Sequence, residues 1–485
     1  MIKKFFKFKT NRQNYFNERQ FLFFGLNYIV GFGFIATISG VILTGAWGML
    51  VFALTSLITL AVLLSFSRAG NKYKNLVGSS YAYSKQTFGR SMSFFQGWNQ
   101  FVQIPLFAST VPLFFSTLLT SIDPAHEVIY TIISVALYVL LISIATFGVR
   151  LSSRFIFAAA AIKWLTLFVG FGLIIYIIST QKNSFIENIS DVSKPFSIVI
   201  LTKTVLNFMY AYGGFEGLAG LSKDVKTKRF KKLLVILFFI IFTAYFVFYL
   251  IFLGLSQSTL LADGKENFGL DLVYKIVWGT TGSVLFSIGI FFNRFSSTLS
   301  SSLYYGRILA PLAQDGYLPA SLAKKNKNGE YRNAIYTVAI ISILSTIIFT
   351  IIPKALKVQN SFSAILNSGN SAYLIQYWFT IFTVLIWKWK KGEKIPLWEI
   401  IIYIIALIII PFVILFSFFP WIAGEEFSKD SIIMLFSYVS TCLGYTADAA
   451  DETPGVERGG RRSRKKKWRE RTEYWRKGGE KMMQT

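Results

Sequence analysis

Stretches of about 20 consecutive apolar residues recur along most of this chain, as at 46–66, 232–254 and 397–418, each long enough to cross a hydrocarbon core roughly 30 Å thick. A water-soluble fold has nowhere to put so many. The chain therefore reads as an all-α integral membrane protein, because a helix satisfies its own backbone hydrogen bonds in lipid. Hydropathy places about twelve helices, at roughly 20–44, 46–67, 92–118, 127–147, 155–179, 198–221, 232–255, 276–305, 333–352, 360–387, 396–419 and 431–444.

Charge tests that assignment. The net charge of +26 would suggest a nucleic-acid partner on a soluble protein. Here Lys and Arg cluster in alternate connections between the apolar runs. One set holds Lys3, Lys4, Lys7, Lys9, Arg12 and Arg19, then Arg68, Lys72, Lys74, Lys85 and Arg90, then Arg150 and Arg154. It continues with KDVKTKRFKK, with Arg307, Lys324, Lys325, Lys327 and Arg332, and with KWKKGEK. The other set is acidic or mixed: Asp123, Glu127, Glu187, Asp191, Asp263, Glu266, Asp271, Glu425 and Glu426, with Lys354 and Lys357 as the exception. Positive loops stay on the cytoplasmic side, so both ends are expected there and the protein in the plasma membrane. One missed helix would destroy the alternation. The basic start, MIKKFFKFKT, precedes an apolar run with no small-residue cleavage site, so the first span is expected to be uncleaved.

Lone residues limit the chemistry. A single cysteine, Cys442, and a single histidine, His126, in a predicted loop, support neither a metal cluster nor histidine catalysis. No nucleophile–base pair or phosphate-binding loop stands within the spans. No enzyme activity, cofactor or nucleic-acid partner is expected. From about 445 the composition changes to TADAADETPGVERGGRRSRKKKWRERTEYWRKGGEKMMQT. This segment reads either as a basic tail on anionic lipid or as a frameshifted or foreign terminus, and its composition predicts disorder.

Two spans are interrupted. The first contains Gly25-Leu-Asn-Tyr-Ile-Val-Gly31-Phe-Gly33-Phe34, and the sixth contains Tyr210-Ala-Tyr-Gly213-Gly214-Phe-Glu216-Gly217. Glycines weaken a helix, and a carboxylate in mid-membrane is costly enough to be functional. Interrupted spans at matching places in two halves point to a transporter's binding site. Each opens a block of five spans, and the two run in opposite directions, as an inverted repeat requires. The second half of span one would present the N–H groups of Gly31, Phe32, Gly33 and Phe34 to a carboxylate. Span six would offer unpaired carbonyls near Tyr210 and Ala211 to an ammonium group. Ile29, Gly213 and Gly214 flank the same gap. The pair suits an α-amino acid. Packing of small residues is the plainer alternative for the glycines.

At these positions the chain resembles the amino acid–polyamine–organocation (APC) superfamily of permeases, from about residue 21 to 390. GFGFIAT resembles the glycine signature of the family's first helix, and YGGFEG its sixth-helix break. GSSYAYSKQTFGRSMSFFQGW resembles the approach to helix three, and RILAPLAQDGYLPASLAKKNKNGEYRNA the end of helix eight with its loop. The resemblance implies a five-plus-five inverted repeat at 20–180 and 198–388, two appended helices at 396–444, a cytoplasmic segment at 1–19, the separate tail at 445–485, and alternating access. Three features depart from the family. SFSRAG stands where a glutamate is common late in helix two, a proline is missing from the next loop, and Gly-Phe-Gly replaces Gly-Ser-Gly, so that Phe32 is expected to offer only its backbone.

Lys163 lies roughly 12 Å along span five, near the limit of snorkelling to the surface. The resemblance implies a second role, an ammonium standing where relatives bind sodium, which would dispense with sodium and allow proton coupling. Glu216 reads as a cap of the second half of span six or as a gating group. Asn99, Gln103 and Asn293 are expected to bond between helices, and Arg294 needs a partner. The expected function is sodium-independent secondary transport of an amino acid, by proton coupling or exchange. The alternatives are a permease for a polyamine or other small amine, and a non-transporting amino acid sensor.

Overall fold

A computed structural model of the chain describes residues 17–73, 76, 78–146, 149–180, 184–190, 196–222, 225–256, 269–326, 331–352 and 361–443. Most of the expected N-terminal segment, the tail from 445, and Lys354 and Lys357 lie outside these residues. An asparagine cap opens α1 (Glu18–Ile29): the Asn17 side chain accepts from the Gln20 N–H at 2.8 Å while the Gln20 side chain accepts from the Asn17 N–H at 3.1 Å. The axis then bends by 51° into α2 (Phe32–Ile42). There follow α3 (Gly48–Lys72), a short α4 (Ser80–Lys85), α5 (Arg90–Ile122), α6 (Glu127–Thr146), α7 (Val149–Thr180) and a short α8 (Phe185–Ser190). The sixth span is α9 (Ile198–Phe208), a 3-10 turn at Met209–Tyr212, and α10 (Phe215–Ala219). Next come α11 (Phe230–Phe252), α12 (Leu270–Gln314), α13 (Arg332–Thr346), α14 (Ser361–Lys391), α15 (Leu397–Phe418) and α16 (Lys429–Leu443).

All twelve expected segments are helical. Among the described residues nine helices are long and apolar enough to cross a membrane, ten with the bent α1–α2 pair taken as one span. The helix α16, at 15 residues, is shorter than the roughly 20 residues a crossing needs. The eighth segment runs well past its expected 276–305: the helix continues through Pro311 to Gln314, with Ile308, Leu309, Ala310 and Leu312 buried. The expected loop before span three is also more ordered than hydropathy suggests. Ser80, Tyr81, Tyr83 and Ser84 of α4 are buried.

Burial separates inner from outer helices. The membrane-length part of α5 is 83% buried, against 33% for α11 and α15. On α15 the exposed residues Ile401, Ile404, Ile405, Ile408 and Phe412 fall on one helical face, and Leu165, Phe168 and Ile175 do so on α7. Such faces are stable only against lipid. Packing pairs recur between the halves. Helix α5 packs on α14 as α12 does on α7, and α5 packs on α13 as α12 does on α6. Amides hold α5 to α14. Asn99 donates to the Ala372 carbonyl at 2.8 Å, Gln103 to the Gln376 side chain at 2.6 Å, and Gln96 to the Gln376 carbonyl at 2.9 Å. Asn99 and Gln103 thus bond between helices as expected.

Contacts between connections stay within the two charge-defined sets. Glu399, fully buried at the start of α15, takes Arg68 from the end of α3 and Lys231 from the start of α11. Asp315 pairs with Lys85, and the Thr227 hydroxyl donates to Glu18 at 2.6 Å. In the other set, Ser197 donates to Glu425 at 2.5 Å, and Asn188 donates to the Leu253 and Leu255 carbonyls. Glu399→Ala leaves Arg68 and Lys231 without their shared acceptor. It is expected to lower stability by about 1–3 kcal/mol, read as a lower melting temperature of the solubilised protein, while Glu425→Ala at the exposed pair changes it by less than about 1 kcal/mol.

Candidate functional site

The two interruptions meet. At Gly31 the backbone takes φ +149°, a conformation that side chains oppose, and an added Cβ there would stand 2.8 Å from Lys163 Cε and 2.9 Å from the Asn293 amide. Gly33 is pressed onto the other break, where a Cβ would lie 2.5 Å from the Tyr210 carbonyl oxygen. That neighbour is backbone and has no room to give. The crossing of the two broken spans therefore requires hydrogen at Gly33.

Breaking a helix inside a membrane leaves carbonyls and N–H groups to be satisfied by others. Three side chains do so here. The buried Lys163 donates to the Asn27 carbonyl in the last turn of α1 at 2.6 Å, and its ammonium neutralises the negative end of that half-helix. It does not snorkel to the surface. The Tyr245 hydroxyl lies 2.9 Å from the Ala211 carbonyl and 3.3 Å from the Ile29 carbonyl, joining the two breaks. Glu216, also buried, accepts the Gly214 N–H at 3.1 Å and the Tyr377 hydroxyl at 2.9 Å. It caps α10. The carbonyls near Tyr210 and Ala211 are not unpaired as expected, because the first accepts the Gly213 N–H at 3.3 Å and the second takes Tyr245. The amino end of α2 opens on Gly31, which has no side chain of its own to cap it.

Beside the breaks lies a cavity of about 130 Å³, lined by Ile29, Phe32, Gly33, Tyr210, Gly213, Gly214, Gln100, Gln103, Phe107, Arg294, Ser297, Thr298 and Tyr373 among others. Six of the expected site residues line it: Ile29, Phe32, Gly33, Tyr210, Gly213 and Gly214. Gly31, Ala211, Lys163 and Glu216 stand behind it as support. Phe34 faces away, into a cluster with Tyr245, Phe208, Phe248 and Phe252.

Phe32 contributes more than backbone. Its ring meets Phe114 edge-on at 4.4 Å between centroids and carries the Arg294 guanidinium, whose Cζ lies 4.2 Å from the ring centre. Arg294 also donates to the Tyr210 hydroxyl at 3.0 Å. The partners of the intramembrane arginine are thus a ring and a phenol from the two broken spans. Hydropathy gave Tyr245, Tyr373 and Tyr377 no emphasis, since each is one aromatic residue in an apolar run. A hydroxyl among phenylalanines was the available signal.

Two broken spans packed back to back around a polar cavity define a membrane permease. The sequence profile described as amino acid permease matches residues 16–442, and the chain belongs to that family and is a multi-pass membrane transport protein. Two uncharacterized proteins of Mycoplasma genitalium are each 31% identical to it. One matches over 439 residues, 85% of this chain and 89% of its own length, the other over 492 residues, 90% and 96%. An arginine/ornithine antiporter of Pseudomonas aeruginosa is 24% identical over 297 residues, 59% of this chain and 60% of its own.

Gly33→Ala is expected to reduce transport at least about tenfold, because the added methyl meets fixed backbone. Gly40→Ala is the control, since nothing lies within 4 Å of a Cβ there, and it should transport normally.

Proposed function

We propose that this permease carries amino acids across the plasma membrane by alternating access, with both ends cytoplasmic and spans one to five and six to ten forming an inverted repeat. The observation that carries the reading is a cavity shared by both breaks, lined by Tyr210, Gly213 and Gly214 of span six and by Phe32 and Gly33 at the amino end of α2. That end takes the substrate carboxylate. The ammonium group sits toward the carbonyl end of the Ile198–Tyr212 half-span, by its dipole rather than by free carbonyls of Tyr210 or Ala211. The recurrence of packing pairs between the two halves supports the repeat.

With the termini inside, the lining residues of α6 and α12, and Gln100, Gln103 and Ile104 of α5, fall on the cytoplasmic half. On the far side Phe32, Phe114 and Phe362 are in ring contact in sequence, the first pair edge-on and the second tilted. The conformation is then inward-facing, with an aromatic plug toward the exterior. Lys163 holds the carbonyl end of α1 with a fixed ammonium, which removes the need for a metal cation and leaves proton coupling or exchange as the driving mechanism. The similarity to an arginine/ornithine antiporter supports amino acids as the substrate class. A polyamine is disfavoured, because no carboxylate lines the cavity among the described residues.

Reconstituted protein is expected to take up at least one labelled amino acid at the same rate in sodium-free and sodium-containing buffer. Strict sodium dependence overturns the role given to Lys163. Lys163→Ala is expected to abolish uptake, or to restore it only when sodium is supplied.

A further inference from the structure

Arg294 is the one charged side chain that lines the cavity. It is partly buried, its Nε is enclosed without a hydrogen-bond partner, and one Nη donates to the neutral Tyr210 hydroxyl. No carboxylate pairs with it among the described residues. Glu216 is held by Gly214 and Tyr377. A guanidinium at mid-membrane with only a ring and a phenol for partners is incompletely compensated. Its fork remains available to an anion, and Ser297 and Thr298, the next residues of α12, line the same cavity.

We infer that the transported substrate is an amino acid with an anionic side chain, whose side-chain carboxylate pairs with Arg294. This rests on the permease reading above. The charges close only this way. The substrate's α-carboxylate and ammonium groups meet the positive and negative ends of the two half-spans. Arg294 then leaves one positive charge in the occupied cavity. An acidic side chain neutralises it, a neutral one leaves it buried, and a cationic one adds repulsion. Arginine and ornithine, for which the Pseudomonas relative is named, are cationic, so the inference separates this chain from that protein.

The test uses the full chain in proteoliposomes, with labelled glutamate and aspartate competed by unlabelled glutamate, aspartate, glutamine, leucine and arginine. The expected result is uptake of the acidic pair, with glutamine, leucine and arginine competing at least about tenfold less well. Arg294→Gln should lose glutamate uptake by a similar factor and gain glutamine relative to it, while Arg294→Lys keeps the acidic preference. Should the variants fail to fold, the wild-type competition decides alone. Equal or better competition by leucine, glutamine or arginine overturns this inference and leaves amino acid transport standing. Uptake of none of these amino acids, with no thermal stabilisation by any, overturns both.

Discussion

A backbone group without a hydrogen-bond partner cannot be left in hydrocarbon, and this protein breaks two helices there. Its centre is organised by that one requirement. Tyr245 spans the carbonyls of Ile29 and Ala211, Lys163 takes that of Asn27, and Glu216 caps the Gly214 N–H. The groups lie on three different spans and converge on two short gaps. Phe32 and Gly33, at the amino end of α2, line the cavity.

Lys163, Glu216 and Arg294 stand at the two breaks, and their surroundings assign them different work. Lys163 and Glu216 are fully enclosed and bonded to backbone, so each acts as a permanent part of a broken helix. Arg294 is only partly enclosed and lies across Phe32 and against Tyr210. A ring face and a phenol hold a guanidinium in place without cancelling its charge. The same side chain also ties the two breaks together, because Phe32 belongs to the first and Tyr210 to the sixth span. Movement of either break therefore changes the setting of the arginine.

Around this centre the helices are held by polar contacts of another kind. Amide bonds join α5 to α14 through Asn99, Gln103 and Gln376. The buried Glu399 joins α3, α11 and α15 at one membrane face. Lipid offers no hydrophobic drive for helix association, so such contacts and close packing supply the specificity. The outer helices turn continuous apolar faces outward, and isoleucine is the commonest residue on them.

The sequence by itself located the helical segments and both breaks, and its charge pattern set an expectation for their sides. Each of these is written in local terms: hydropathy over a window, Lys and Arg in a loop, glycine at a point. Its errors were also local. The end of α12 and the ordered turn of α4 were both missed. Only the tertiary structure decided who serves the breaks. Lys163 and Asn27 are 136 positions apart, and Arg294 and Tyr210 are 84 apart. Nothing in either neighbourhood announces its partner. The same reason explains why Phe32, expected to offer backbone alone, carries the arginine, and why the carbonyls expected to be open at Tyr210 and Ala211 are already taken. Spacing along a chain locates a gap in a helix, but what fills the gap depends on which other helices fold against it.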